Sequence, residues 1–326
     1  MRKMFSGSPT SIRISGSTVV GAEDRQGKIP GFDQAALSAA TVLCIGAGGL
    51  ISHIAPTLAR KGIGRLILLD RDVVEASNLN RQRFYPGDIG KNKAVALARN
   101  LKNECIAGTE IRGFGLRLEE AIELGHDLSC NIAICGVDNN PARVAASRFF
   151  RIKNTPVIFT GVSVGGDHGY VFVQDQTGPC LACLFPDIAN DDQYPCPGTP
   201  AVADILQIVG GLAVYATDTL LMNRTRTWNY RRIGLVDQAL DGAGWIPARQ
   251  GCQSCGIITS SLLNGKQQTP SNRVLTCGCE HAPTIPILIL GIADLAVFYP
   301  SKESGSADVR LFKRFANPVN YSTLNR

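Results

Sequence analysis

The sequence predicts an α/β architecture, a mainly parallel sheet with helices on both faces and an antiparallel extension, on three observations. Short apolar, β-branched runs alternate with segments of helical spacing, the first run switches directly into glycines, and the second ends in an acid. The chain has 326 residues, enough for one large domain or two smaller ones with a sizeable core.

TVLCIG (41–46) reads as the first strand, and ISHIAPTLARKGI behind it carries apolar residues at helical spacing. LILLD (66–70) is a second strand and residues 90–105 a second helix. NIAICGVD (131–138), a helical NPARVAASRFFRI (140–152) and TPVIFTGV (155–162) continue the alternation that a parallel sheet requires. HGYVFVQD (168–175) alternates apolar and polar residues and is expected to add antiparallel strands. A polar stretch from Asp187 to Pro200 precedes a long helical run at 201–223, and strands returning to the sheet are expected within 224–251.

Residues 1–24 form a polar segment with no apolar leader behind its basic residues, and residues 257–326 a C-terminal extension that begins Ser/Asn/Gln-rich, like a linker. The apolar stretch Ile285 to Pro300 contains Asp294 and is shorter than the roughly 20 residues a membrane span needs, so a buried helix or strand pair is expected there. Thirty-three basic against 27 acidic residues give a net charge of +6, too slight to point to nucleic acid. Eleven cysteines in a long chain, with two pairs spaced Cys-x-x-Cys, suggest a metal site in a reducing cytoplasm rather than a disulfide framework.

GAGGL (46–50) follows a strand and opens a helix, which leaves the backbone N–H groups around Gly46, Gly48 and Gly49 where phosphates bind. Asp70, 24 residues beyond Gly46, stands where a carboxylate accepts from a ribose diol. Both features suit a dinucleotide or ATP equally, and no GK[ST] Walker loop is present. The following run discriminates: Asp72, Asn78, Arg81, Gln82 and Lys93 gather beside the same edge, a charge density that hydride transfer does not use. Adenylation of a carboxylate does use it, because charge grows at the α-phosphorus and on departing pyrophosphate. Asp138, at the end of the AICGVD strand, is suited to hold Mg²⁺ against ATP phosphates.

RQGKIPGFD (25–33), GAGGL, LLDRDVVEASNLNRQ (68–82), DIGKNK (88–93), CGVDN (135–139), PCLACLFP (179–186) and GCQSCG (251–256), in that order, resemble the ubiquitin-activating-enzyme superfamily, in particular its small homodimeric adenylyltransferases. The resemblance implies a Rossmann-like adenylation domain over residues 25–256 that activates the C-terminal Gly-Gly carboxylate of a ubiquitin-like β-grasp protein with MgATP. By position it makes Asp70 the ribose ligand, Asn78, Arg81, Gln82 and Lys93 the ATP contacts, Asp138 an essential acid, and Arg25 an arginine that reaches the other subunit's site. Ile51 replaces a further glycine of the family's loop and is expected to tighten or shift the helix start.

Cys180, Cys183, Cys252 and Cys255 form two pairs able to enclose a tetrahedral Zn²⁺, a structural site. Cys196, alone in YPCPGTP, stands by resemblance where some members carry a cysteine that attacks the acyl-adenylate, giving a thioester for a conjugating enzyme or an acyl-persulfide in sulfur transfer; a merely tolerated thiol is the alternative. Cys277, Cys279 and His281 crowd into five residues with no fourth ligand in sequence. Cys44, Cys130 and Cys135 read as core thiols and Cys105 has no assigned role; Trp228 and Trp245 suit either a docking surface or the core. Activation of a ubiquitin-like protein is the leading reading, sulfur-carrier activation shares its first step, and a non-catalytic scaffold would have no use for Arg81, Lys93 and Asp138 at one cleft.

Overall fold

The computed structural model describes residues 21, 24–105, 108–189, 201–237 and 240–255, and the strands at 287–290, 294–300 and 307–312. The chain divides into two compact units, Met1–Ser260 and Ser261–Arg326.

The first unit runs α1 (Asp24–Gly27), α2 (Gln34–Ala39), β1 (Thr41–Ile45), α3 (Gly49–Arg60), β2 (Arg65–Leu69), α4 (Lys93–Glu104), β3 (Glu110–Phe114), α5 (Leu118–Glu123), β4 (Ile132–Cys135), α6 (Asn140–Ile152), β5 (Val157–Val162), β6 (His168–Gln174), α7 (Leu181–Leu184), α8 (Ala203–Leu221), β7 (Tyr230–Gly234) and β8 (Gly242–Gly244). The eight strands form one sheet in the order β3-β2-β1-β4-β5-β6-β7-β8, parallel from β3 to β5 and antiparallel from β5 to β8. This is the predicted mixed sheet, with one strand the periodicity missed. β3 (EIRGF) is an edge strand whose residues are only exposed or half-buried, so it lacks an apolar run.

Alternate residues of each strand feed two cores. Val42, Cys44, Leu66, Leu68, Ile132 and Ile134 face α3, α4 and α8, whereas Leu43, Ile45, Ile67, Leu69, Ala133 and Cys135 face α5, α6 and α7. Local chemistry starts the helices: the side chains of Asp33, Asn92 and Asn139 accept from Ala36, Val95 and Ala142 amides as N-caps of α2, α4 and α6. The 19 residues of α8 have the length and hydropathy of a membrane span, a length that the shorter stretch Ile285 to Pro300 lacks. Here α8 lies on α3, β5 and β6, with Ile205, Leu206, Val209 and Ala213 buried.

In the second unit, β9 (Ile287–Leu290), β10 (Asp294–Pro300) and β11 (Ala307–Phe312) make an antiparallel sheet in the order β11-β10-β9. The stretch Ile285 to Pro300 therefore contains the strand pair β9 and β10. Cys277, Cys279 and His281 lie outside the described residues, as do Cys196 and most of the Asp187 to Pro200 stretch.

Candidate active site

The parallel strands reverse their order at β1, between β2 on one side and β4 on the other, and open α/β sheets bind ligands outside the carboxyl ends of the strands at such a switch point. Ile45 is in register with both Leu69 and Cys135, so Gly46, Asp70 and Gly136 leave the sheet at one level. The Gly46 amide donates to the Leu69 carbonyl at 2.7 Å and the Gly136 amide to the Ile45 carbonyl at 3.0 Å.

The three glycines of the first turn do different work. Gly46 has φ +91°, a conformation L side chains rarely adopt, and a Cβ there would also crowd Val137. Gly48 is the N-cap of α3 and has open space above it, the nearest atom to a Cβ being Gln82 Nε2 at 4.0 Å. Gly49 serves packing: a Cβ would stand 2.9 Å from Leu206 Cδ1 of α8. Ile51 is fully buried, and its bulk is taken up by Gly136, where a Cβ would meet Ile51 Cγ1 at 2.9 Å. The helix opens at Gly49 with that accommodation in place.

Asp70 holds this turn together. Its Oδ2 accepts from the Ala47 amide at 2.6 Å and its Oδ1 from the Asp72 amide at 2.8 Å. Burial pushes its carboxyl above the ordinary value, while those two amides and the Lys93 ammonium pull it down. Lys93, at the start of α4, pairs with Asp72 at 3.4 Å, and its amide donates to the Asp72 carbonyl. Asn92, a residue the sequence reading passed over, ties the two segments by donating Nδ2 to the carbonyls of Asp70 and Asp72.

Asn78 is buried with its Oδ1 accepting from the Glu75 amide, closing a short 3₁₀ turn. Arg81 is half-buried and folds back on that turn, giving Nη1 to the Ser77 carbonyl and to Asn80 Oδ1. Gln82 is different: its Oε1 is buried with no hydrogen-bond partner, while its Nε2 stands by Gly48. The Nε2 by Gly48 can donate to a ligand at the loop, and the unmet Oε1 can accept from a donor. Asp138 is exposed, three residues beyond the end of β4. Val202 lines the same edge, its Cγ2 3.6 Å from a Cβ at Gly166 in the β5–β6 turn, and Cys196 precedes it by six residues in sequence.

Arg25 lies elsewhere. It is exposed on α1, and its neighbour Gln26 donates to the Lys61 carbonyl at 2.8 Å, beyond the C-terminal end of α3. Twelve helical residues, about 18 Å, separate that end from the glycine loop. Arg224 on the Gly31 carbonyl and Lys61 over the Phe32 ring fasten the same segment.

The four cysteines converge as their spacing predicts. All four sulfurs lie within 4.8 Å of one another and all four residues are buried. The sulfurs stand 3.9 Å apart for Cys180 and Cys183, 3.6 Å for Cys180 and Cys252 and 3.3 Å for Cys183 and Cys255. Four thiolates about 2.3 Å from a tetrahedral Zn²⁺ stand about 3.8 Å apart, so the donor set fits that metal. The Arg249 amide donates to Cys183 Sγ at 3.2 Å. Burial raises the Cys180 thiol; it acts on Cys252 too, but the amides of Cys255 and Ser254 and the neighbouring thiols bring that group down to about 7.

The core thiols behave as expected: Cys44 is buried and pushed up to about 12 by that burial, and Cys135 is raised for the same reason. Trp228 packs partly against the core, whereas Trp245 is exposed with the Arg226 guanidinium 5.3 Å over its ring.

The model of the ThiF family matches residues 22–240. Among curated relatives, "Adenylyltransferase and sulfurtransferase MOCS3" of Xenopus laevis is 32% identical over 64% of this chain and 46% of its own. "SAMP-activating enzyme E1" of Haloferax volcanii is 30% identical over 57% and 68%. "Sulfur carrier protein adenylyltransferase" of Thermus thermophilus is 29% identical over 58% and 72%. The chain thus spans just under half the length of the first of these. A crystal structure of E. coli MccB with AMPCPP and MccA shares the fold, with a TM-score of 0.61 at 21% identity over 72% of this chain and 74% of that one.

Proposed function

The chain belongs to the ThiF family, and we propose that it is an adenylyltransferase that activates the C-terminal glycine carboxylate of a small ubiquitin-like or sulfur-carrier protein with MgATP. The observation that carries this reading is the glycine turn at the switch point of the sheet, tied to Asp70 through the Ala47 amide and faced by Gln82 Nε2 at Gly48, at the edge where Lys93 and Asp138 also emerge. It is supported by relatives named for adenylyl transfer and for carrier activation.

In the proposed step a carboxylate oxygen of the carrier attacks the α-phosphorus, a bond to that oxygen forms, and the bond to pyrophosphate breaks. Asp70 holds the ribose, the amides of the glycine turn and Gln82 Nε2 donate to the phosphates, and Arg81 and Lys93 balance charge on the phosphorane and on leaving pyrophosphate. Arg81 must leave the 77–80 turn to do so, and Lys93 must exchange Asp72 for phosphate. Asp138 is the residue to hold Mg²⁺, which supplies further neutralisation of phosphate charge.

Arg25 is assigned to a partner subunit's site, because its own glycine loop lies at the other end of α3. A homodimer in which each chain completes the other's centre satisfies that geometry. Zn²⁺ at Cys180, Cys183, Cys252 and Cys255 would have a structural part. We further assign acyl transfer to Cys196, giving a thioester for a conjugating enzyme; direct sulfur transfer to the adenylate, favoured by the relatives named for sulfur carriers, is the second reading. A cytoplasmic setting suits free thiols.

The test is intact-mass analysis of Gly-Gly-ending carriers incubated with the protein and MgATP. A carrier gaining AMP is expected; nucleotide binding without any such adduct across carriers would contradict the reading. A thiol-labile protein–carrier adduct lost in Cys196→Ala would establish the thioester, and the adenylate without it would favour direct sulfur transfer.

A further inference from the structure

His53 sits in the second turn of α3, is only 8% exposed, and has both ring nitrogens engaged by one short stretch of the crossover segment. Its Nε2 lies 3.0 Å from the Arg81 carbonyl, which can only accept. Its Nδ1 lies 3.3 Å from Arg83 Nε, which can only donate. These partners fix the neutral tautomer: the proton is on Nε2 and the lone pair on Nδ1. The adjacent Ser52 adds a third tie, its Oγ accepting from the Arg83 amide at 3.3 Å while donating to the Gly49 carbonyl at 3.1 Å. Gln82 lies between the tied residues, with its Nε2 beside Gly48 and its Oε1 unmet.

We propose that His53 is a positioning residue for the nucleotide edge, stapling residues 81–83 to the first turns of α3 so that Gln82 and the root of Arg81 are set at the glycine loop before nucleotide arrives. This rests on the adenylation reading above and adds a residue that touches neither ATP nor carrier. The staple requires an unprotonated ring, because an imidazolium has no lone pair for Arg83 Nε and would face that guanidinium with like charge. Arg83 is the charged group that bears on the ring, from the crossover segment, and α8 presents Gly210 to the His53 Cβ. Burial first, and Arg83 with it, lower the pKa of His53, against the bond to the Arg81 carbonyl, so the neutral form persists below the ordinary histidine value.

The experiment compares wild type, His53→Gln and His53→Leu by kcat and KM for ATP in pyrophosphate exchange with Gly-Gly-ending carriers, and by hydrogen exchange at the amides of residues 81–84 without substrate. Gln can keep the donor to the Arg81 carbonyl; Leu cannot. His53→Leu is expected to lose about 100-fold in kcat, the cost of a small misplacement of a reacting assembly, with KM changed far less. It should also lose protection at residues 81–84, and His53→Gln should recover most of both. A folded His53→Leu protein with unchanged kcat and protection, or equal losses in both variants, overturns the proposal. Arg83→Met, which leaves the core untouched, is expected to move the acid limb of the kcat profile to higher pH; an unmoved limb counts against the staple. If wild type supports no exchange, the adenylation reading fails, and the protection data still decide whether His53 staples the loop.

Discussion

The carboxyl edge of the parallel strands and the four-cysteine cluster are both gatherings of polar donors on one chain, yet they are built in opposite ways. At the cluster four sulfurs face one another inside a buried shell, and a backbone amide is aimed at one of them. At the strand edge Asp138 points outward, Lys93 rests on an exposed aspartate, and Gln82 keeps an oxygen unmet. A closed donor set stabilises the fold when filled, whereas an open one keeps its capacity for something that comes and goes. Structure and proposed chemistry are thereby separated within one domain, and each half of the comparison can be broken alone.

Emptying the closed set should have the largest effect. Structural zinc binding is worth on the order of 10 kcal/mol, so exhaustive chelation or a Cys180→Ser/Cys252→Ser double variant is expected to abolish cooperative unfolding of the first unit, read by calorimetry beside metal analysis. A protein that is metal-free yet melts as wild type would remove the distinction. Changes at the open edge should instead spare stability and reach only the chemistry. Lys93→Ala or Arg81→Ala is expected to cost about 2–4 kcal/mol of transition-state stabilisation at an unchanged melting temperature.

The two adjacent glycines sharpen the contrast. Gly49→Ala places a Cβ 2.9 Å from Leu206 and should destabilise by about 1–3 kcal/mol, relieved by shortening Leu206. Gly48→Ala meets nothing closer than Gln82 Nε2 and should leave the melting temperature alone while weakening ATP binding in titration calorimetry. The smallest effect concerns pH. Burial raises the carboxyl of Asp70, and the proposed role as ribose acceptor needs the ionised form, so ATP affinity should decline on acidification from above the ordinary aspartate range. Asp70→Asn should flatten that decline, at a cost near tenfold in affinity, about 1.4 kcal/mol.

Much of this arrangement was written in local sequence. The glycine turn, the acid closing β2, the helix at 140–152 and both Cys-x-x-Cys pairs are short-range patterns that survive folding almost unchanged. β3 escaped because an edge strand half-open to solvent, carrying Glu110 and Arg112, has no apolar signature. The tie from Ser52 and His53 to residues 81–83 escaped for another reason: it joins residues some 30 positions apart, and nothing in ISHIAP marks a histidine that reads a distant carbonyl. The different duties of Gly48 and Gly49 were equally hidden, since Leu206 of α8 decides them from more than 150 residues away. Arg25 was legible as an arginine, but not its place beside Gln26, which is fastened at the far end of α3 from the glycine loop.

The measurement that tests the central claim most directly is ATP–pyrophosphate exchange with Gly-Gly-ending carriers, run on wild type, Lys93→Ala and the double cysteine variant in parallel. The account predicts carrier-dependent exchange in wild type, its near-complete loss in a Lys93→Ala protein that melts normally, and loss in the cysteine variant only together with loss of folding. Exchange undiminished in Lys93→Ala would contradict it, because the open edge would then not be where the phosphates react.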